Sequence, residues 1–197
     1  MAPDLVIGLD GLARCPWGSA TEDYRTYHDT EWGRPVRQDI ALFERVSLEA
    51  FQSGLSWLTI LRKRDAFRDA FAGFEPSAVA AFSERDVARL MGDPRIVRNR
   101  RKIDATVTNA RALLEMHAAG ETLSDVVWAH APTEHTRPRS MADVPAQTGA
   151  SRALAADLRR RGFVFVGPTT MYAAMQACGL VDDHLAGCHA AAPDRIR

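Results

Sequence analysis

Helical hydrophobic patterns run through almost the whole chain, and only one run, Phe163-Val-Phe-Val166, is typical of a β-strand. From Asp39 onward, apolar residues return at three- and four-residue spacings, and Gly or Pro often stands where a pattern ends. A sheet-based fold needs several strands that pair with one another or alternate with helices. The sequence therefore predicts an all-α fold, with an irregular, aromatic-rich opening before Asp39.

Capping residues and glycines divide this pattern into a series of separate helices. The predicted helices span residues 39–52, 57–71, 76–82, 83–91, 101–119, 124–130, 151–161 and 170–178. We expect them to form a single domain over residues 14–189. A flexible N-terminal extension, residues 1–13, is predicted to precede this domain, and a tail, residues 190–197, is predicted to follow it.

Composition limits the class of protein and its partners. With 197 residues the chain is long enough for one domain with a sizeable core. The 25 basic residues balance the 25 acidic ones, so overall charge predicts no polyanionic partner. The chain has three Cys without disulfide spacing, no apolar run that could span a bilayer and no signal-peptide pattern. We therefore expect a cytoplasmic protein, a monomer by default, with no membrane partner.

Glu49 is a carboxylate on an apolar helix face. It lies seven residues after Leu42 and three after Val46, so the three side chains share one stripe of a helix. A buried carboxylate is costly unless a cation or a hydrogen-bond donor meets it. Glu49 is therefore either a core residue paired with an Arg, or part of a cavity for a positively charged or donor-rich ligand.

Four aromatic residues could form the walls of such a cavity. Trp57 follows Glu49 across a Ser53-Gly54 break, and the other three stand in the aromatic opening: Trp17, Tyr24 and Tyr27. They either fill the core or stack on a planar ligand, and a carboxylate beside aromatic faces attracts a planar cation. The sequence shows no catalytic triad, no nucleotide-binding glycine loop, no HExxH motif and no clear second carboxylate.

Cationic residues crowd the turn between two predicted helices, where Asp93 is the only acid. They follow Gly92 in the order Arg95, Arg98, Arg100, Arg101 and Lys102. A glycine turn that leads into a basic helix N-terminus suits phosphate binding, because backbone N–H groups and Arg side chains face the anion. Such a local patch would reconcile zero net charge with a nucleic-acid partner. The alternative is a solvated basic face.

Two Cys and two His near the chain ends have the chemistry of a metal site. Cys15 and His28 stand near the start, and His184 and Cys188 are spaced i, i+4 near the end. Two N and two S ligands make a closed, structural zinc site, which would join the terminal segments. The alternative is a set of satisfied core residues, and His189 is a rival ligand. Cys178, in an apolar segment, is predicted to be a core residue.

A series of motifs from about Arg14 to Cys188 resembles the DNA-3-methyladenine glycosylase I family of the helix–hairpin–helix glycosylase superfamily. The motifs occur in the family's order at compatible spacing. They read Arg14-Cys-x-Trp17, Tyr27-His-Asp-x-Glu-Trp-Gly33, Leu48-Glu-x-x-x-Ser-Gly-Leu-Ser-Trp57, Ile96-Val-Arg-x-Arg-x-Lys-Ile103, Asn109-Ala-Arg111, Arg161-Gly-Phe-x-Phe-Val-Gly167, Met175-Gln-Ala-Cys-Gly179 and Asp183-His-x-x-x-Cys188. The loop 132–147 matches no motif of the family.

The resemblance implies a monofunctional DNA-repair glycosylase that releases 3-methyladenine from alkylated double-stranded DNA and leaves an abasic site. It implies that Glu49 hydrogen-bonds the excised base between the four aromatic residues, and that the Cys and His set holds one structural Zn²⁺. It further implies that the turn 92–102 grips DNA. The turn Gly54-Leu55-Ser56 is expected to insert Leu55 where the lesion was, a known use of apolar wedges.

Two other functions fit parts of the pattern. A non-catalytic, zinc-containing reader of alkylated DNA would use the basic turn without releasing a base. A zinc enzyme for a small substrate would need an open coordination position, which a complete set of two Cys and two His does not leave.

Overall fold

The computed structural model describes residues 4–190, and α-helices dominate that part of the chain, as the sequence predicts. Short 3₁₀ turns and loops join the helices. The helices are α1 Glu22–Thr30, α2 Asp39–Gln52, α3 Trp57–Ala70, α4 Pro76–Ala80, α5 Glu84–Gly92, α6 Arg100–Ala118, α7 Leu123–Trp128, α8 Gly149–Arg160 and α9 Pro168–Ala177. Within the described residues, no helix is both long enough and apolar enough to cross a bilayer.

Helix α2 is the central element, because it contacts α3, α6, α7 and α9. Its apolar stripe is fully buried, and Phe51 packs against Phe67 and Phe71 of the segment that follows. Phe71 in turn stacks on Phe74, with ring centroids 5.5 Å apart and planes only 7° from parallel. Burial of each such aromatic stabilises the fold by about 1.5–3 kcal/mol. The core thereby fixes the C-terminal end of α2, from which the next turn begins.

The β-type run at Phe163–Val166 is not a strand, and this prediction is wrong. The side chain of Asn109 on α6 takes the place of a partner strand. Its Oδ1 accepts from the Val164 N–H at 2.7 Å, and its Nδ2 donates to the Val164 carbonyl at 3.1 Å. Phe165 then adopts a φ of +57°, which breaks extended geometry. A side-chain amide about fifty residues away cannot be read from local alternation.

The N-terminal segment predicted to be a flexible extension contains a short antiparallel hairpin. Strand β1, Val6–Ile7, pairs with β2, Ala13–Arg14. The buried Arg14 guanidinium ties this hairpin to the helical body through Asp29, at 2.8 Å. The domain boundaries stay predictions, and residues 1–3 and 191–197 lie outside the described part of the chain.

The aromatic opening, expected to be irregular, contains helix α1. Its N-cap is Thr21, whose side-chain oxygen accepts from the Tyr24 N–H at 3.2 Å, and two acids occupy its first turn. These are ordinary helix-start signals, so the sequence held the information. The helix sets Tyr24 and Tyr27 three residues apart on one face, directed toward α3, which α1 contacts.

Candidate active site

A cavity of about 320 Å³ opens between α1, α2, α3 and α9. The structure brings to its wall all five residues predicted for base binding: Trp17, Tyr24, Tyr27, Glu49 and Trp57. They come from three helices and one 3₁₀ turn, and α2 and α3 position two of them on either side of the Gly54 turn. The pattern of one carboxylate among aromatics is therefore a spatial cluster.

The aromatic walls hold one another in place. The rings of Tyr27 and Trp57 lie 5.4 Å apart, and Trp17 meets Tyr24 edge to face at 5.6 Å. The Tyr24 hydroxyl also accepts from the Leu58 N–H of α3 at 3.0 Å. Such offset and edge-on contacts add to the stability that burial provides. The cavity is a preformed slot with aromatic faces, suited to a planar ring.

Glu49 is only 5% exposed and lies on the cavity wall. No hydrogen bond or ion pair from the described residues reaches its carboxylate, so the interpretation as an Arg-paired core residue fails. Burial raises its pKa to about 8, although the positive charge of Arg45 opposes the shift. Burial therefore favours the protonated acid at neutral pH, and a cation in the cavity would favour the carboxylate.

The indole N–H of Trp57 is a second unsatisfied group at this cavity. The nitrogen is buried and has no hydrogen-bond partner among the described residues. A buried donor without an acceptor is costly, and Trp57 lines the cavity beside the unpaired Glu49. The site thus offers one donor and one acceptor that a bound heterocycle could satisfy.

Asp183 is a second buried carboxylate at the same cavity, although none was recognised in the sequence. Burial raises its pKa, but hydrogen bonds from His135, Tyr172 and Gln176, at 2.6–2.9 Å, outweigh burial and keep the pKa below its usual value. Its neighbour His184 drew attention as a metal ligand, so the motif gave no reason to assign Asp183 to the cavity.

Three further wall residues also escaped sequence reasoning. Trp32 packs edge to face on Trp17 with centroids 5.0 Å apart. Met141 and Val144 belong to the loop 132–147, which has no recognisable motif, and they close one side of the cavity. Only the tertiary fold brings this loop there: the Pro138 carbonyl accepts from the Ala186 N–H at 2.8 Å.

Three of the four predicted metal ligands converge closely. The ligand atoms of Cys15, His28 and Cys188 all lie within 4.8 Å of one another, and the Cys188 Sγ is 3.4 Å from the His28 Nε2. The fourth, His184, packs its ring 4.9 Å from that of His28. Its Nε2 is buried with no hydrogen-bond partner among the described residues, as expected of a metal-ligating nitrogen.

Acidic residues orient both imidazoles for this role. Asp29 bonds the Nδ1 of His28 at 2.7 Å, and Asp182 bonds the Nδ1 of His184 at 2.9 Å. Both Nε2 atoms are then left for a metal, the arrangement common around zinc-bound His. The rival His189 instead bonds Asp29 at 3.0 Å. Two N and two S donors with these outer partners fit a structural Zn²⁺.

Glycines leave room for these rings. A Cβ on Gly18 would come within 2.5 Å of the His28 ring, and one on Gly33 within 2.8 Å of the His184 ring. Contacts this short essentially never occur, so both positions require glycine while the imidazoles stay where they are. Cys178 lies apart from this cluster in the main core, as predicted.

The turn after α2 presents Leu55 to solvent. Gly54 has a φ of +84°, a left-handed conformation that favours glycine, and Leu55 is 42% exposed. Ser56 then caps α3 by accepting from the Thr59 N–H at 3.3 Å. An exposed leucine on a turn fixed at both ends beside the cavity has the geometry of an apolar wedge.

The basic turn between α5 and α6 contains both free and paired guanidinium groups. Arg98 and Arg101 are exposed and have no side-chain partner among the described residues. Arg95 bonds Asp93 at 2.9 Å and Arg100 bonds Glu84 at 2.6 Å. Gly92, expected in the turn, is the exposed last residue of α5. The accessible positive charge is therefore smaller than the sequence indicates.

The side chain of Lys102 is buried, although the sequence predicts that it contacts DNA. Its Nζ donates to the carbonyls of Phe51 at 2.8 Å and Ser53 at 2.6 Å, at the C-terminal end of α2. Its ammonium faces the protein interior because those carbonyls have no helical partner of their own.

Comparison with known proteins agrees with this geometry. A family model described as methyladenine glycosylase matches residues 17–191. The chain is 47% identical over 180 residues to DNA-3-methyladenine glycosylase 1 of Escherichia coli strain K12, which covers 90% of this chain and 96% of that protein. It is 44% identical over 178 residues to the DNA-3-methyladenine glycosylase of Haemophilus influenzae, with 89% and 96% covered.

Solved structures show the same fold. A crystal structure of 3-methyladenine DNA glycosylase I superposes with a TM-score of 0.86 at 47% identity, covering 89% of this chain and 98% of that one. A structure described as the basis of 3-methyladenine recognition by the Staphylococcus aureus enzyme gives a TM-score of 0.87 at 35% identity, with 92% and 98% covered. The chain therefore belongs to the methyladenine glycosylase family.

Proposed function

We propose that this protein is a DNA-repair glycosylase that hydrolyses the N-glycosidic bond of 3-methyladenine in alkylated double-stranded DNA. One observation carries the proposal: a buried carboxylate without a partner lies on the wall of an aromatic cavity. The family's relatives are named for this activity. A base inside a duplex is out of reach, so the lesion must be flipped out before it can enter such a cavity.

The reaction needs little acid–base catalysis from the side chains. Methylation at N3 makes the adenine in DNA a cation and weakens its bond to the sugar. The bond from C1′ to the base breaks, its electron pair leaves with the base as neutral 3-methyladenine, and water adds to C1′ while a proton goes to solvent. No lyase nucleophile takes part, so the product is an abasic site.

The cavity residues bind and orient the cationic base. The aromatic faces of Tyr27 and Trp57 attract it through their ring quadrupoles. Glu49 accepts hydrogen bonds from the base, and the positive charge favours the ionised form of its carboxyl, whose pKa of about 8 reflects burial without a partner. The buried N–H of Trp57 can donate to a ring nitrogen of the base.

Residues outside the cavity would engage the duplex. Leu55 enters the stack where the lesion was, and Gly54 and Ser56 fix its turn. Arg98 and Arg101 contact phosphates near the N-terminus of α6. The turn between α8 and α9, residues 161–167, is a second candidate DNA contact, because it exposes Val164 and Phe165 just before α9.

The metal in this proposal is structural. Cys15, His28, His184 and Cys188 would hold one Zn²⁺, which supplies a cross-link between the terminal segments and no water-activating position. All three cysteines are buried and none forms a disulfide, which supports a reducing cytoplasm as the compartment. A monomer is sufficient, since the cavity is built from one chain.

Incubation of the purified protein with methylated duplex DNA, followed by chromatography of the released bases, tests the function. We expect 3-methyladenine to be released, and Glu49→Ala to reduce its release strongly. DNA binding without any released base would instead identify the protein as a non-catalytic reader of alkylated DNA. Activity that disappears on metal removal while the fold persists would point to zinc chemistry.

A further inference from the structure

Lysine is rare in this chain: only two of its 25 basic residues, Lys63 and Lys102, are lysines, and the rest are arginines. The two are 39 positions apart in sequence, yet they make the same kind of contact. Each ammonium donates to two backbone carbonyls in a turn or at the helix end that leads into it, and neither contacts a carboxylate within the described residues. Arginine occupies all the other basic positions, so this type of contact is what the two lysine positions have in common.

Lys102 supports the turn that carries Leu55. It stands in the first turn of α6 and reaches the carbonyls of Phe51 and Ser53, immediately before Gly54. These carbonyls belong to the C-terminal end of α2, where a positive charge is favourable. The position of the exposed Leu55 therefore depends on a residue of the basic turn and not only on its own helices.

Lys63 supports the basic turn in return. It lies on α3, two turns after Leu55, and its Nζ donates to the carbonyls of Pro94 at 3.1 Å and Arg95 at 2.9 Å. Helix α3 begins where the Leu55 turn ends, and α6 begins where the basic turn ends. Lys102 on α6 thus supports the turn that precedes α3, and Lys63 on α3 supports the turn that precedes α6.

The geometry of these contacts explains why lysine is used. A compact ammonium offers three donors that can point at carbonyls in different directions, whereas the planar guanidinium fork matches carboxylates and phosphates. Burial of Lys102 lowers the pKa of its ammonium and carries a desolvation cost that no acid offsets. An apolar side chain would avoid this cost, but it would leave the carbonyls of Phe51 and Ser53 without this donor and the turn without this support.

We propose that Lys63 and Lys102 are positioning residues that hold the Leu55 turn and the basic turn at a fixed separation. Contact of the basic turn with the DNA backbone and insertion of Leu55 then occur together on damaged DNA. The inference rests on the proposed glycosylase function. Neither lysine lines the cavity. Without them the two turns move independently, and the flipped state loses stability while the cavity itself is unchanged.

The decisive experiment is a double-mutant cycle between Lys102→Met and Leu55→Ala, read as the single-turnover rate of 3-methyladenine release from duplex DNA. We expect Lys102→Met to slow release about tenfold, because small displacements cost up to about a hundredfold in rate. If Lys102 acts through Leu55, the same substitution should cost less than about twofold in the Leu55→Ala background. Equal losses in both backgrounds would overturn the inference.

Further variants separate positioning from folding and from charge. Lys63→Met lies at a partly exposed site and should slow release without lowering the melting temperature, and Lys63→Arg should restore part of the rate. Arg152→Met, at an exposed position of α8, removes the same charge and should leave the rate unchanged. Binding of free 3-methyladenine, followed by tryptophan fluorescence, should be equal in all variants, and its loss would contradict a positioning role.

The outcome distinguishes this inference from the proposed function. If the unmodified protein releases no 3-methyladenine, the function fails. If it does release the base, and Lys63→Met and Lys102→Met release it at the same rate, the function stands and the inference fails alone.

Discussion

Arg45 and Glu49 lie one turn apart on α2, yet they do not pair. The Arg45 guanidinium donates to Glu31 at 2.8 Å, and Arg64 holds the same Glu31 at 2.6 Å. Glu49 therefore keeps a buried carboxyl that no described residue hydrogen-bonds. A residue at i, i+4 that would ordinarily neutralise a glutamate is engaged elsewhere, which preserves the acceptor in the cavity.

The stability of the free protein should depend on pH through Glu49. The pKa of its carboxyl is about 8 in the folded state and 4.5 in a solvated one. Between these values the folded state holds a proton that the unfolded state releases, so the free energy of unfolding falls as pH rises through this window. Each pKa unit corresponds to about 1.4 kcal/mol, so the total loss is on the order of a few kcal/mol.

Thermal melts of Glu49→Gln from pH 5 to pH 9 test this dependence. The variant should gain melting temperature relative to the unmodified protein as pH rises, because Gln carries no charge to desolvate. Glu115→Gln, at an exposed position of α6, is the matched control and should show no such trend. A pH-independent difference between Glu49→Gln and the unmodified protein would argue against a buried, proton-binding Glu49.

Glu49 should also discriminate the damaged base from ordinary DNA. Glu49→Gln replaces one carboxyl oxygen with an amide nitrogen that cannot accept, so we expect binding of free 3-methyladenine to weaken about tenfold, in line with the loss of one buried hydrogen bond. Affinity for undamaged duplex DNA should change little, since Glu49 lies inside the cavity. Isothermal titration with each ligand measures both. Equal losses for the two ligands would indicate a folding defect.

The salt dependence of DNA binding should identify the turn that grips phosphates. Arg98 and Arg101 are the exposed, unpaired arginines of the basic turn within the described residues. Each phosphate contact contributes about 0.9 to the slope of log K against log salt. The double variant Arg98→Ala/Arg101→Ala should therefore reduce the slope by about two. An unchanged slope would indicate that the turn between α8 and α9, and not the basic turn, contacts the phosphates.

The paired arginines provide the control for that measurement. Arg95 is bound to Asp93 and Arg100 to Glu84. Removing Arg100 together with Glu84 leaves the net charge constant and should alter the slope far less than the loss of Arg98 and Arg101.

Local patterns predicted most of the helices and singled out five residues that line the cavity. The predicted helix 39–52 has the observed bounds of α2, and Ser56 caps α3 as expected. Glu49 stands out as a charge on an apolar stripe, and the aromatic residues stand out by their density near the start of the chain, whereas the resemblance to the family implied their roles. Buried, strongly patterned segments carry this information locally.

The failures involve contacts between residues distant in sequence. Lys102 looked like a DNA contact because its neighbours are basic, and only tertiary packing reveals the carbonyls beneath it. Asp183 owes its place on the cavity wall to hydrogen bonds from His135 and Tyr172, which no spacing rule predicts. The loop 132–147 contributes Met141 to the cavity through tertiary docking alone.

The proposed zinc site can be tested by comparing two buried cysteines. Cys188 lies in the cluster with Cys15 and His28, whereas Cys178 lies in the main core. Cys188→Ala should abolish bound zinc, measured by elemental analysis, and Cys178→Ala should retain it. Both variants lose packing, so melting temperature alone cannot distinguish them. A chelator should lower the melting temperature of the unmodified protein and of Cys178→Ala but leave that of Cys188→Ala unchanged, because the latter has no metal to lose. Full zinc content in Cys188→Ala would remove Cys188 from the ligand set.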